Sequence, residues 1–235
     1  PVFKTRRGVL VIRMDGIGDM VLFRRTLDHY ANAFGVDQAE ITVLGCESWA
    51  SVAGELFAGY RVDTINEHAY AQHPVYRFFV NLRVRHWAPA VTVNDSYFRR
   101  ALMADSLTWI SRAKRTISAV PYISERTRSE FTYYMSQVCE TIDTGLYPTH
   151  ETLRHFRFIS SVAGHDTPPE APRLTWSKFT LQIDTGTDYI VLNPGSSEVG
   201  RRWPIAGYGN IAGEFLAQGL RVVVVGKAKE ALPEE

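Results

Sequence analysis

At 235 residues with 45% hydrophobic and 22% charged side chains, the chain has enough apolar material for a full core and exceeds the usual size of one domain. Twenty-six basic against twenty-five acidic residues leave a formal charge of +1, which excludes a nucleic-acid protein held by a bulk positive field and makes any basic site local. Only Cys46 and Cys139 are present, outside any C-x-x-C or Cys/His zinc spacing, so neither a disulfide framework nor a structural metal is expected and a reducing cytoplasm is the default. No apolar run reaches membrane-spanning length and no signal-peptide pattern precedes the first strand. Contact with a membrane surface stays open.

Gly8 to Arg13 is a β-branched apolar run of the kind that forms a strand buried on both faces of a parallel sheet. After the turn Met14-Asp15-Gly16-Ile17-Gly18-Asp19, the spacing of Val21, Leu22, Leu27, Tyr30 and Phe34 predicts one helix from Met20 to Phe34, ending at Gly35. The alternation then repeats, with strands at 41–44, 62–65 and 90–93, helices at 48–57, 74–87 and 97–110, and a further strand at 114–117. Strands alternating with helices imply right-handed βαβ units and a parallel sheet covered on both sides, hence an α/β protein. A helix over 148–162 closes a first domain at 1–164. The prolines of Gly164 to Pro172 suit a linker, assigned to 165–177. Within a second domain, 178–235, strands at 189–192 and 220–225 flank a helix at 205–218. One βαβ unit is too small to bury its own sheet faces, so this domain is expected to be partial and its parent chain to continue past Glu235.

Gly16-Ile17-Gly18 suggests a dinucleotide fingerprint, but the third glycine would fall at Val21, and Asp19 puts a carboxylate where a pyrophosphate should sit. Asp19 is then either an N-cap or a carboxylate presented beyond the carboxyl end of a strand, where ligands of open α/β sheets bind. Asp15 reads as a loop residue. Asn193-Pro194-Gly195-Ser196-Ser197 followed by Arg201-Arg202-Trp203-Pro204 offers amides, hydroxyls, guanidinium groups and a helix N-terminus to a phosphate; a solvated arginine pair beside a core tryptophan is the plain alternative. Arg99-Arg100, Arg112, Lys114-Arg115 and Arg126-Thr127-Arg128 make the later first domain locally basic, either a solvated face or a cradle for an anionic acceptor or an acidic membrane surface. His150 and His155 are i,i+5 apart, not the i,i+4 of a zincin. Asp184-Thr185-Gly186-Thr187-Asp188 is not a D-x-D metal motif and reads as a turn.

Val11 to Val21, Leu192 to Ser197 and Arg201 to Pro204 closely resemble the heptosyltransferases of lipopolysaccharide core synthesis, glycosyltransferase family 9. Thr149 to Arg154 is more weakly similar to the histidine-led helix near that family's domain boundary. The resemblance implies two Rossmann-like domains of the GT-B type, the first complete and the second partial. It also implies inverting, metal-independent transfer of a sugar, heptose from ADP-heptose, to a lipid-linked or phosphorylated acceptor of the lipopolysaccharide core. A cytoplasmic protein touching the inner membrane surface, without cofactor or nucleic acid, follows from the same likeness.

Residue by residue, the resemblance carries the catalytic aspartate onto Asp19, paired hydroxylic phosphate contacts onto Ser196 and Ser197, and a phosphate-binding lysine onto Arg201. The change to arginine alters the contact geometry. Arg202 joins the donor side, and the ribose-binding glutamate falls on Glu230. Gly16, Ile17, Gly18, Arg112, Arg115 and His150 are assigned to the acceptor side. A later Asp-Thr-Gly segment of the family is missing, so the 235-residue chain is expected to be inactive by itself. The rival readings are a nicotinamide-dinucleotide oxidoreductase, supported by Gly16 and Gly18 alone, and a non-catalytic truncated binding domain.

Overall fold

The computed structural model describes residues 5–174, 188–196 and 199–226. The chain divides into two compact units, Pro1–Ser177 and Lys178–Glu235. In the first, six strands form one parallel sheet: β1 (Val9–Arg13), β2 (Ile41–Cys46), β3 (Arg61–Ile65), β4 (Val91–Asn94), β5 (Arg115–Ala119) and β6 (Glu140–Ile142). Their spatial order is β3-β2-β1-β4-β5-β6. Every residue of β1 is buried, as its unbroken apolar run requires of a central strand with both faces covered.

Side chains alternate across the sheet and so feed two cores. Val9 and Val11 point to one face, where α1 (Ile17–Leu27), α2 (Tyr30–Phe34) and α8 (Glu151–Ala163) supply Met20, Phe23, Tyr30, Phe156 and Ile159. Leu10 and Ile12 point to the other, against Val80 and Val84 of α5 (Pro74–Trp87) and Leu107 of α6 (Ser106–Ser111). Two short helices, α3 (Ala53–Leu56) and α4 (Glu67–Gln72), and the later α7 (Arg128–Met135) complete the unit.

Several expected helices are divided. The one expected over 20–34 begins earlier, at Ile17, and breaks between α1 and α2. At the break the Asp28 carboxylate is held by Arg24 at 2.5 Å, Arg25 at 3.0 Å and the Tyr60 hydroxyl at 3.1 Å. These bonds outweigh a side-chain spacing that would permit continuation. The helix expected over 97–110 is replaced up to Arg100 by irregular chain, then by a wide π-type turn, Ala101–Asp105, and only then by α6. Here Arg99 donates to the Asp105 carboxylate at 2.9 and 3.1 Å and to the Ser96 carbonyl, pulling the chain back on itself. The segment 48–57 is a 3-10 helix leading into α3, and α4, α7 and β6 were not anticipated.

Gly45, near the end of β2, faces the Trp49 ring so closely that a Cβ would lie 1.9 Å from it. Trp49 is fully buried and has nowhere to retreat. Gly45→Ala is therefore expected to lower stability by about 1–3 kcal/mol, the usual range for overpacking. A denaturation midpoint equal to wild type would show that the ring moves aside.

The second unit contains β7 (Tyr189–Leu192) and β8 (Arg221–Val224), paired in parallel around α9 (Ile205–Ala217), the βαβ unit read from the sequence. The turn expected at 184–188 lies outside the described residues except for Asp188.

Candidate active site

In the order β3-β2-β1-β4-β5-β6 the chain reverses its direction of travel across the sheet between β1 and β4. Adjoining loops diverge at such a point and leave a crevice at the carboxyl ends of the strands. Here β1 delivers Arg13, Met14, Asp15 and Gly16, and β4 delivers Asn94, Asp95 and Ser96.

Beneath the crevice lies a buried polar network. Arg13 donates to Asp95 at 2.6 Å and pairs through Nε with Asp15 at 2.9 Å, while its guanidinium stacks over Phe23, 4.5 Å from the ring centroid. The second Asp95 oxygen meets His155 Nδ1 at 3.0 Å and the Tyr30 hydroxyl at 3.3 Å. Ser96 donates to Asp15 at 2.8 Å. Burial alone would raise the Asp95 pKa, but the Arg13 charge, aided by His155, outweighs it and holds the carboxyl well below the usual range. Arg13 is pushed higher still, burial being outweighed by Asp15 and Asp95. Desolvated opposite charges of this kind stay ionised only when closely paired. The network thus locks strand ends and helices together under the site.

Above it opens a cleft of about 470 Å³, lined among others by Asp15, Gly16, Glu67, Phe98, Arg100 and Tyr122. Phe98 and Tyr122 are partly exposed and lie 5.4 Å apart between centroids, and Tyr147 meets Phe98 at 6.0 Å. Apolar ring faces beside a few converging polar groups suit a ligand with both an apolar face and hydroxyls, such as a sugar. Arg99 is spent on the buried Asp105, so Arg100 brings the cationic charge to this cleft. Cys46 also lines it, but burial, followed by the charges of Glu67 and Asp15, pushes its thiol up to about 12. It is protonated at neutral pH and not a nucleophile.

Gly16, Ile17, Gly18 and Asp19 are all exposed at this edge. Gly16, not Asp19, is the N-cap of α1, which has no side-chain cap; Asp19 sits in the first turn, where the helix dipole favours a negative charge. His150 is the N-cap of α8, its Nδ1 accepting from the Thr152 amide at 3.2 Å. The next residue, Glu151, has its pKa raised by burial, with Asp19 adding to the rise against the opposing charges of His155, Arg154 and Arg13. His150 and His155 diverge as their spacing requires, one exposed and one fully buried.

Arg112 and Arg115 are not brought to this edge. Arg115 aligns with Val91, and Val91 with Val9, the first residues of their strands. A five-residue strand puts that end roughly 13 Å from the carboxyl end. Arg115 is engaged by Glu140 at 2.6 and 2.9 Å, and Arg112 stacks on Trp109 at 4.5 Å.

In the second unit Asn193 follows β7, its side chain accepting from the Gly195 amide at 3.2 Å. Arg202 donates to the Ser196 carbonyl at 3.0 Å, and both Arg201 and Arg202 are exposed just before Pro204, the N-cap of α9. Trp203 is not a core residue: it is half exposed and packs edge-on against Tyr208 at 5.0 Å. Ser197 and Glu230 lie outside the described residues.

The fold is of the GT-B type. A glycosyl transferase family 9 protein from Veillonella parvula superposes with a TM-score of 0.71 over 97% of this chain, at 14% identity. E. coli heptosyltransferase WaaC, solved with ADP-2-deoxy-2-fluoro heptose, gives 0.69 over 94% at 14% identity. E. coli ADP-heptose LPS heptosyltransferase II gives 0.62 over 94% at 16% identity. The chain spans 65%, 70% and 65% of the lengths of those three proteins respectively. No protein-family model and no curated protein matches the sequence.

Asp95 escaped sequence reasoning, and Arg154 and His155 entered it only as parts of a histidine-led segment, not as the buried residues they are. Arg154 is fully buried, stacks 3.5 Å over Tyr97, donates to the carbonyls of Gly145 and Thr149 and pairs with Glu151 at 3.3 Å. One sequence signal was available: Arg13 ends an otherwise apolar strand, and a charge there demands a buried partner.

Proposed function

We propose that the chain belongs to a metal-independent inverting glycosyltransferase that moves a sugar, heptose from ADP-heptose, onto a lipid-linked or phosphorylated acceptor of the lipopolysaccharide core. The observation that carries this reading is the exposed Asp19 carboxylate at the edge of an aromatic-rimmed cleft, at the switch point of a GT-B-type sheet. Its neighbours in structure include a WaaC solved with an ADP-sugar analogue.

In this reading the acceptor sugar stacks on Phe98 and Tyr122, with Arg100 taking its anionic group. Gly16, Ile17 and Gly18 let it approach the chain, and His150 is assigned to the same acceptor side. Asp19 accepts the proton of the acceptor hydroxyl as that oxygen attacks the anomeric carbon from the face opposite the departing nucleoside diphosphate; a single displacement inverts the centre and needs one base. Charge developing on the diphosphate is met by Arg201, Arg202, the serine hydroxyls at 196 and 197 and the amides that open α9. Glu230 takes the ribose. Arg112 and Arg115, placed at the far end of the strands, have no part in this chemistry.

Titration with ADP, an ADP-sugar and NAD tests the reading. Saturable binding of ADP and the ADP-sugar is expected, weakened about 10- to 100-fold by Arg201→Ala, the usual loss for a charge-assisted bond. Adenosine binding is expected to be unchanged by that substitution. Tighter binding of NAD than of ADP-sugar would overturn the assignment in favour of a dinucleotide oxidoreductase.

A further inference from the structure

α5 has two apolar stripes where a surface helix needs one. The inward stripe, including Val80 and Val84, is 3% and 0% exposed and belongs to the core. The second comprises Val75, Phe78, Phe79 and Leu82, positions i, i+3, i+4 and i+7 of one face, and these are 69%, 57%, 63% and 49% exposed. Two adjacent phenylalanines on a solvated ridge are costly to leave in water, and contiguous exposed patches of this kind mark contact surfaces.

The charges select the occupant. The sequence of α5, Pro74 to Trp87, contains Arg77, Arg83, Arg85 and His86 and no aspartate or glutamate. At 100° per residue Arg83 and Arg85 fall on opposite flanks of the outward stripe and His86 falls within it. Arg83 is paired with Asp63 at 3.3 Å, whereas Arg85 is exposed and makes no ion pair among the described residues. Aromatic and aliphatic side chains between arginines, on a helix lying along the surface, have the character of an interfacial helix, whose apolar face enters the headgroup region while its cations meet anionic lipid. A second copy applied to the same face would oppose arginine to arginine. No helix among the described residues is long and apolar enough to cross a membrane, so contact would be superficial.

We propose that the outward face of α5 docks this protein on an anionic lipid bilayer through Val75, Phe78, Phe79 and Leu82, with Arg83 and Arg85 at its flanks. In a βαβ crossover the helix runs opposite to the strands, so Val75 and Phe78 stand toward the carboxyl edge of the sheet, the edge that carries the cleft. Glu67 and His68 of the preceding α4 line that cleft. Docking here would hold the bilayer near the place where a lipid-linked acceptor must enter, a consequence that rests on the glycosyltransferase reading. The docking itself does not.

Co-sedimentation of the 235-residue chain with vesicles of equimolar phosphatidylcholine and phosphatidylglycerol tests it, with phosphatidylcholine vesicles as the control. Binding to the anionic vesicles is expected, weakened by salt. Phe78→Ser combined with Phe79→Ser should weaken it by at least about tenfold. Arg85→Gln should weaken it by about fivefold, on anionic vesicles alone. These side chains are exposed, so wild-type melting curves are expected for both variants. Wild-type protein left in the supernatant, or a double variant that sediments as well as wild type, would overturn the proposal. A dimer in sedimentation velocity that the double variant abolishes, without vesicle binding, would assign this face to a second copy. ADP titration of the same variants reads the sugar-transfer assignment separately.

Discussion

Asp95→Ala is expected to destabilise the protein by roughly 3–5 kcal/mol, the cost of breaking a buried ion pair and its hydrogen bonds. Asp95 is the shared acceptor of Arg13, His155 and Tyr30, all nearly or fully buried. Its loss leaves the buried Arg13 guanidinium with Asp15 as its one carboxylate partner among the described residues and removes the acceptor of His155 and Tyr30. For a chain of this size the melting temperature should fall by on the order of 10 °C. The sign of the acid dependence follows from the depressed carboxyl. Its stabilising contribution is fully present above the unfolded value near 4 and is lost as pH falls through the lower folded value, since the unfolded chain binds the proton first. Thermal melts of wild type and variant between neutral and acid pH measure this: the gap between the two should narrow in acid. A variant that melts with wild type at neutral pH would show that water or rearrangement satisfies Arg13, and the network would lose its structural role.

In a chain that carries the complete donor-binding domain, Asp19→Asn is expected to lower sugar transfer by about 10²–10⁴, the usual worth of a positioned base. Folding should hardly change. The side chain is exposed and makes no capping bond, so the cost is limited to its interaction with the helix dipole, about 0.3–1 kcal/mol. Donor affinity should also be unaffected, because the phosphate contacts assigned above lie in the second unit. Wild-type turnover in the variant would remove Asp19 from the chemistry.

Local sequence carried most of the first sheet because buried parallel strands are written as unbroken apolar runs, and β1 is the plainest of them. It carried little of β6, a three-residue edge strand, Glu140-Thr141-Ile142, with no fully buried member. α7 buries only Phe131, so no apolar stripe announces it. The α1/α2 break is held partly by Tyr60, distant in sequence from Asp28, and the local Arg24 and Arg25 contacts with Asp28 would equally suit an unbroken helix. In the site, Gly16 to Asp19 were legible because a strand, a turn and a helix follow one another directly. Arg13, Asp95 and His155 were not, since the partners are 82 and 60 residues apart. Of the aromatic rim, Phe98 falls in the segment 97–110, whose spacing reads as helix, and no local pattern brings Tyr122 or Tyr147 to it.

The same separations govern the order in which the molecule can be made. β1 pairs with β4, so the central strand, once made, must wait for about 80 further residues before its second neighbour exists. His155 arrives later still. Until α8 is synthesised, Asp95 lacks the imidazole partner that completes its shell. A nascent chain paused before that helix therefore displays a hydrophobic β1 face and an incompletely neutralised ionic cluster, the kind of species that recruits chaperones or aggregates. Synonymous changes that slow translation between residues 95 and 155 should lower the soluble yield without altering a single side chain.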